Sequence, residues 1–136
     1  MVTDITSAEM IKYASNALLA TMVSFSNEIA NICEHTPGAD VGVVLEGVRL
    51  DRRITTRLGD AKITPGIASY LAAGGGFGGS CLPKDVRAFV SYAKASGASA
   101  PLLCSVLDVN EGRPERVVEI AGRTVSSLVG ANVAVL

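Results

Sequence analysis

Cys81 closes a run, Gly74 to Asp85, that reads Gly-Gly-Gly-Phe-Gly-Gly-Ser-Cys-Leu-Pro-Lys-Asp. Glycine surrenders side-chain contacts and costs backbone entropy on ordering, so five glycines in six positions are poorly explained by packing. They let backbone amides approach something closely. Pro83 suits the first turn of a helix. The cysteine therefore sits just before a predicted helix N-terminus, where the positive end of the helix and Lys84 both favour the thiolate form. A thiolate at such a place is a candidate nucleophile.

A second pair lies far upstream. Lys12 and Asn16 are one helical turn apart and share a polar stripe with Glu9. Alone, such residues are most often a solvated helix face. Beside a reactive cysteine, an ammonium and an amide one turn apart could instead clamp a developing oxyanion. Their spacing does not choose between the two.

The elements that must hold these residues are mainly helical. Thr6 and Glu9 have capping-box spacing, and no Gly or Pro interrupts Ser7 to Glu34, which predicts a helix of about 28 residues and about 40 Å. Met10, Ala14, Ala17, Leu18, Thr21, Phe25, Ile29 and Ile32 form one broad apolar face. A helix this long exceeds the needs of a small domain, so part of that face is expected to meet a second copy. Thr36-Pro37-Gly38 breaks it. Asp40 to Gly47 is a shorter helix with Val41, Val44 and Leu45 inward. Residues 49–59 are polar, and Ile67 to Ala73 forms a helical turn or two. Pro83 to Ser96 is a helix with Val86, Phe89, Val90 and Ala93 on one face, ended by Gly97. Pro101 to Leu128 is a second long helical stretch with a kink or join at Pro114. The last residues, 131–136, are a short β-branched run of the kind that forms a buried parallel strand.

Composition narrows the functions. A chain of 136 residues, 49% hydrophobic and 18% charged, has the makings of one folded domain. A net charge of −1 and 4% aromatic residues give neither a basic field nor stacking platforms, so nucleic acid is not expected as a partner. Three widely spaced cysteines suit a reducing cytoplasm better than a disulfide framework, with Cys33 and Cys104 read as core and Cys81 as reactive. The apolar stretch around residues 17–32 is broken by Asn27, Glu28 and Asn31, so no membrane span is expected. Cys33 and His35 lack further ligands, so no metal is expected. Gly74, Gly76 and Gly79 spell G-x-G-x-x-G, but a dinucleotide fingerprint also needs a preceding strand, a helix opening inside the motif and an acid about 20 residues on. None of these is present, and the run is not a nucleotide loop.

Four segments in one order carry a resemblance: Ala8-Glu9-x-x-Lys12-x-x-x-Asn16, Asn27-Glu28, Asp51-x-Arg53-Ile54 and Phe77-Gly78-Gly79-Ser80-Cys81-x-Pro83-Lys84-Asp85. Together they resemble the nucleotide-sugar 6-dehydrogenases, the UDP-glucose and GDP-mannose dehydrogenase family, over nearly the whole chain. The resemblance implies the family's mainly α central domain, residues 1–129, with a long N-terminal helix that forms a homodimer core. Residues 130–136 would open the first strand of a truncated α/β nucleotide-binding domain. It implies oxidation of a sugar-nucleotide C6 alcohol to a carboxylate, with NAD held mainly by an N-terminal domain outside this chain. UDP-glucose is the first expected substrate, with GDP-mannose or a UDP-N-acetylhexosamine as alternatives and a non-catalytic dimerisation module as the contrasting reading. Cys81 would be the nucleophile, Lys12 and Asn16 the oxyanion donors, and Asp85 the group that positions Lys12 and acts as base on water. Lys84 would lie near the cofactor. Tyr70, Gly74, Gly75, Gly76, Phe77 and Gly78 would line the sugar, and Arg53 would reach substrate, in some members across the dimer.

Overall fold

Residues 2–125 and 127–134 are described by the structure, a computed structural model. Helix α1 runs Ile5–Glu34 and α2 Val41–Arg49. A hairpin of β1 (Thr56–Leu58) and β2 (Ala61–Ile63) follows, then a 3-10 turn at Gly66–Tyr70. Helices α3 (Leu82–Ala95), α4 (Pro101–Glu111) and α5 (Arg113–Thr124) complete the chain.

The core is where α1, α3 and α4 meet. Ala17 and Ala20 of α1, Val86 of α3 and Val106 of α4 form its buried centre, with Val23, Phe89, Leu103 and Leu107 packed around it. Small residues on α1 let the helices come close, and the Ser24 hydroxyl, also buried, donates to the Val106 carbonyl at 2.8 Å. Phe77 of the glycine loop inserts into the same cluster. The loop is therefore nailed to the core at its middle.

Several local expectations change. Asp4, not Thr6, caps α1, its carboxylate accepting from the Ser7 amide at 2.9 Å, because Asp4 directly precedes the first helical residue and its side chain reaches the free N–H of the third. The single broad face expected on α1 divides in two. Ala17, Ala20, Ser24, Asn27 and Ala30 turn inward, whereas Met10, Ile11, Leu18, Phe25 and Ile32 are exposed. In α2 only Leu45 is buried, and Val44 is exposed. The polar stretch after α2 holds a short antiparallel hairpin, Thr56 opposite Ile63, with Gly59 at a φ of 60° in its two-residue turn. Each strand has three residues, all exposed, and so leaves no alternating pattern to read. The helical stretch over 101–128 has the expected join, two helices that meet at Gly112, and it ends at Thr124. Pro114 does not kink a helix but stands in the first turn of α5, where its missing N–H costs nothing. Residues 131–134 form no strand, since a strand requires a neighbour and none pairs with them among the described residues. The end of that expected strand, residues 135 and 136, lies outside the described residues.

Candidate active site

Asp85 lies in the first turn of α3 and is fully buried, 0% exposed. A carboxylate there needs donors, and it has three. Its Oδ2 accepts from Lys12 Nζ at 3.0 Å and from Asn16 Nδ2 at 2.6 Å, and its Oδ1 accepts from Lys84 Nζ at 2.6 Å. The helical stripe on α1 is thus no solvated face. It delivers an ammonium and an amide, one turn apart, to a single oxygen on another helix.

The electrostatics follow from these bonds. Lys84, then Lys12, hold the Asp85 carboxyl well below the usual carboxylate range, overcoming the opposing effect of burial. Asp85 in turn raises the Lys84 ammonium above its ordinary value, with smaller contributions from Tyr13 and Cys81. Two ammoniums share one carboxylate, so the cluster carries one excess positive charge. The Lys12 and Lys84 side chains are 60% and 63% exposed, and their unused N–H donors can face a ligand. A carboxylate so saturated with donors is a weak base. The geometry suits Asp85 to orienting Lys12.

Cys81 is the N-terminal cap residue of α3, and its carbonyl accepts from the Asp85 amide at 2.9 Å, one helical turn apart. It is exposed, with its Sγ 3.7 Å from the Ser80 hydroxyl. The backbone thus ties the sulfur-bearing residue to the residue that collects Lys12 and Asn16. Cys33 is buried as expected, but Cys104 is exposed on α4.

The glycine loop leads into this helix. Gly76 and Gly79 have φ of 92° and 74°, which side-chain-bearing residues rarely adopt. Gly74, Gly75 and Gly78 have ordinary φ, and a Cβ on any of them would meet nothing within 4 Å. Neither backbone geometry nor the chain's own packing explains those three glycines.

One expected site residue falls elsewhere. Phe77 is 8% exposed and packs in the core, so it anchors the loop instead of walling a pocket. Arg53 pairs with Asp51, two residues away, and its side chain is 89% exposed, without contact to the Asp85 cluster. Tyr70, at the end of the 3-10 turn, is 36% exposed. Residues to which the sequence assigned no role hold the loop from behind: Asn27, Asn110 and Arg113 bind the backbone of Gly74 and Phe77. The available signal was an amide, Asn27, at a core register position of α1.

One helical domain thus brings an N-cap cysteine, a glycine loop and a Lys–Asn–Asp cluster together. Residues 6–112 match the UDP-glucose/GDP-mannose dehydrogenase family, central domain, and the chain belongs to that family. The UDP-glucose 6-dehydrogenase TuaD of Bacillus subtilis is 44% identical over 134 residues, covering 98% of this chain and 26% of the relative. AglM of Haloferax volcanii, also a UDP-glucose 6-dehydrogenase, is 44% identical over 134 residues, 98% of this chain and 28% of that protein. A UDP-glucose dehydrogenase structure from the hyperthermophilic archaeon Pyrobaculum islandicum superimposes with a TM-score of 0.73 at 37% identity, covering 90% of this chain and 25% of that one. The chain thus spans about a quarter of the length of these relatives. Among the described residues no helix is long and apolar enough to cross a membrane.

Proposed function

We propose that this chain is the catalytic-cysteine and dimerisation portion of an NAD-dependent nucleotide-sugar 6-dehydrogenase acting on UDP-glucose. One observation carries the reading: Lys12 and Asn16 converge on Asp85, one turn from Cys81, in a chain whose relatives are UDP-glucose 6-dehydrogenases. NAD, when bound, accepts the hydrides of the two oxidations. The Gly74–Gly79 loop makes no dinucleotide cradle, because a 3-10 turn precedes it and α3 begins only at Leu82. Lys84 spends one donor on Asp85 and keeps others for the cofactor, which is held mainly by a portion of the enzyme outside this chain.

The residues present account for the covalent steps. The C6 aldehyde left by the first oxidation is attacked by the Cys81 thiolate, forming a C–S bond and a thiohemiacetal oxyanion. Lys12 and Asn16 stabilise that oxyanion with the donors they do not spend on Asp85. After the second hydride leaves carbon, a thioester remains, and water adds to it to release carboxylate and regenerate the thiol. The same two donors meet the charge of that second tetrahedral intermediate. Gly74, Gly75 and Gly78 give the sugar room, with Tyr70 at the rim.

The exposed residues Ile11, Leu18, Phe25 and Ile32 recur every seven positions along α1 and support pairing with a second copy. Residues 130–136 open the nucleotide-binding portion that follows, and a free catalytic thiol suits a reducing cytoplasm.

The test uses the complete enzyme. UDP-glucose should yield two NADH per sugar and a free uronate, whereas GDP-mannose and UDP-N-acetylhexosamines should not. Cys81→Ser should cut uronate formation by about 10³-fold or more. Normal uronate from that variant would remove Cys81 from the chemistry. A non-catalytic helical module would show no Cys81 preference in alkylation. Cys81 should instead react faster than Cys104, which is also exposed but lies four residues into α4 with no lysine beside it in sequence.

A further inference from the structure

The two residues that fix the glycine loop are held at both of their backbone polar groups by distant side chains. Gly74 donates its amide to Asn27 Oδ1 at 2.8 Å and accepts at its carbonyl from Arg113 Nε at 2.9 Å. Phe77 donates its amide to Asn110 Oδ1 at 2.6 Å and accepts from Asn110 Nδ2 at 3.0 Å. Arg113 also donates to Asn31 Oδ1 at 3.1 Å, which ties the start of α5 back to α1. At Gly76 a Cβ would come within 2.5 Å of Asn110 Oδ1, so the glycine and the asparagine require one another.

These fastenings are not arranged for stability. Asn27 is 0% exposed and its Nδ2 has no partner, an unmatched buried donor. Arg113 is 4% exposed, yet among the described residues no carboxylate lies within ion-pair distance of its guanidinium. Two unfavourable burials behind one loop mark a conformation held for use. That conformation leaves the amides of Gly75, Gly76, Gly78 and Gly79 without acceptors among the described residues, available to oxygens of a bound sugar.

We infer that Asn110 and Arg113, with Asn27, are positioning residues for the sugar-binding loop. From the α4–α5 junction and α1 they hold Gly74 and Phe77, so that the free glycine amides meet the substrate hydroxyls while Cys81 stays in line with C6. The inference rests on the dehydrogenase reading above and extends it to residues that touch neither substrate nor sulfur.

The experiment compares Asn110→Ala and Arg113→Lys with wild type in the complete enzyme. Steady-state kinetics are read together with Cys33 alkylation, which reports loosening of the core. The expected result is a rise of about tenfold or more in KM for UDP-glucose with a fall in kcat, since small misplacements of a reacting group cost one to two orders of magnitude. KM for NAD should stay within about twofold, and Cys33 should remain protected. Arg113→Lys keeps the charge and removes the fork, so it should show the same pattern more mildly. Folded variants with sugar KM and kcat within twofold of wild type would overturn the inference alone. So would losses that appear only together with Cys33 labelling. A wild-type enzyme that reduces no NAD with any nucleotide sugar would instead overturn the dehydrogenase reading, and the inference with it.

Discussion

Lys12 Nζ lies 3.0 Å from Asp85 Oδ2, joining residues 73 positions apart. The opening helix and the helix headed by Cys81 are thereby locked by one ion pair whose carboxylate is fully buried and whose ammonium is largely exposed. That asymmetry divides the roles: Asp85 is the fixed acceptor, and Lys12 is the charge presented to a ligand.

Acid should unlock this contact. The Asp85 carboxyl is held below its ordinary value chiefly by Lys84 and then Lys12, so its pKa is lower in the folded than in the unfolded chain. Its stabilisation is therefore complete above the unfolded value near pH 4 and drains away as pH falls below it. Lys84 is shifted upward, so its contribution is complete below about pH 10 and lost only at higher pH. Thermal unfolding followed between about pH 7 and about pH 2 should show a steep acid loss of Tm that Asp85→Asn lacks. Parallel acid slopes for the two proteins would mean that Asp85 is not the titrating anchor.

Removing Lys12 tests the oxyanion role separately. In the complete enzyme, Lys12→Ala should lower kcat by about 10²–10³-fold, the usual cost of one donor at a developing oxyanion. Asp85 retains Lys84 and Asn16 as donors in that variant, so α1 and α3 should stay packed. Retained helicity by circular dichroism alongside lost turnover is the expected pair of results. Turnover within twofold of wild type would release Lys12 from the mechanism.

The exposed stripe on α1 predicts an assembly. Leu18→Glu combined with Phe25→Glu places two charges in a contact made of Ile11, Leu18, Phe25 and Ile32. Light scattering after size exclusion should shift from a dimer mass to a monomer mass. A dimer that survives both charges would move the interface off this stripe.

Phe77 distinguishes an anchor from a pocket wall. As a core residue, its replacement by alanine should cost about 3–5 kcal/mol of stability, read from urea unfolding. A wall residue would change sugar binding with little change in the unfolding midpoint.

The placement of Cys81 at a helix start was legible in the chain alone. Cys81, Pro83, Lys84 and Asp85 are neighbours in sequence, and their spacing sets a cysteine at a helix start whatever the rest of the fold does. The long helix from residue 5 to 34 was likewise local, because uninterrupted helix formers propagate without outside help. What spacing alone could not disclose was the contacts across long loops, and only the family resemblance put Lys12 beside Asp85. The stripe of Lys12 and Asn16 reads equally as solvated surface until Asp85 arrives from 73 and 69 residues away. The apolar positions of α1 look like one face until α3 and α4 take the alanines and leave Leu18 and Phe25 in solvent. Phe77 resembles a pocket residue until the core claims it, and Asn110 and Arg113 carry no local sign of the loop they hold. Helix propensity and capping are decided within a few residues by backbone geometry. Burial and partnership are decided by which surfaces meet, and only the tertiary packing of α1 against α3 and α4 determined that.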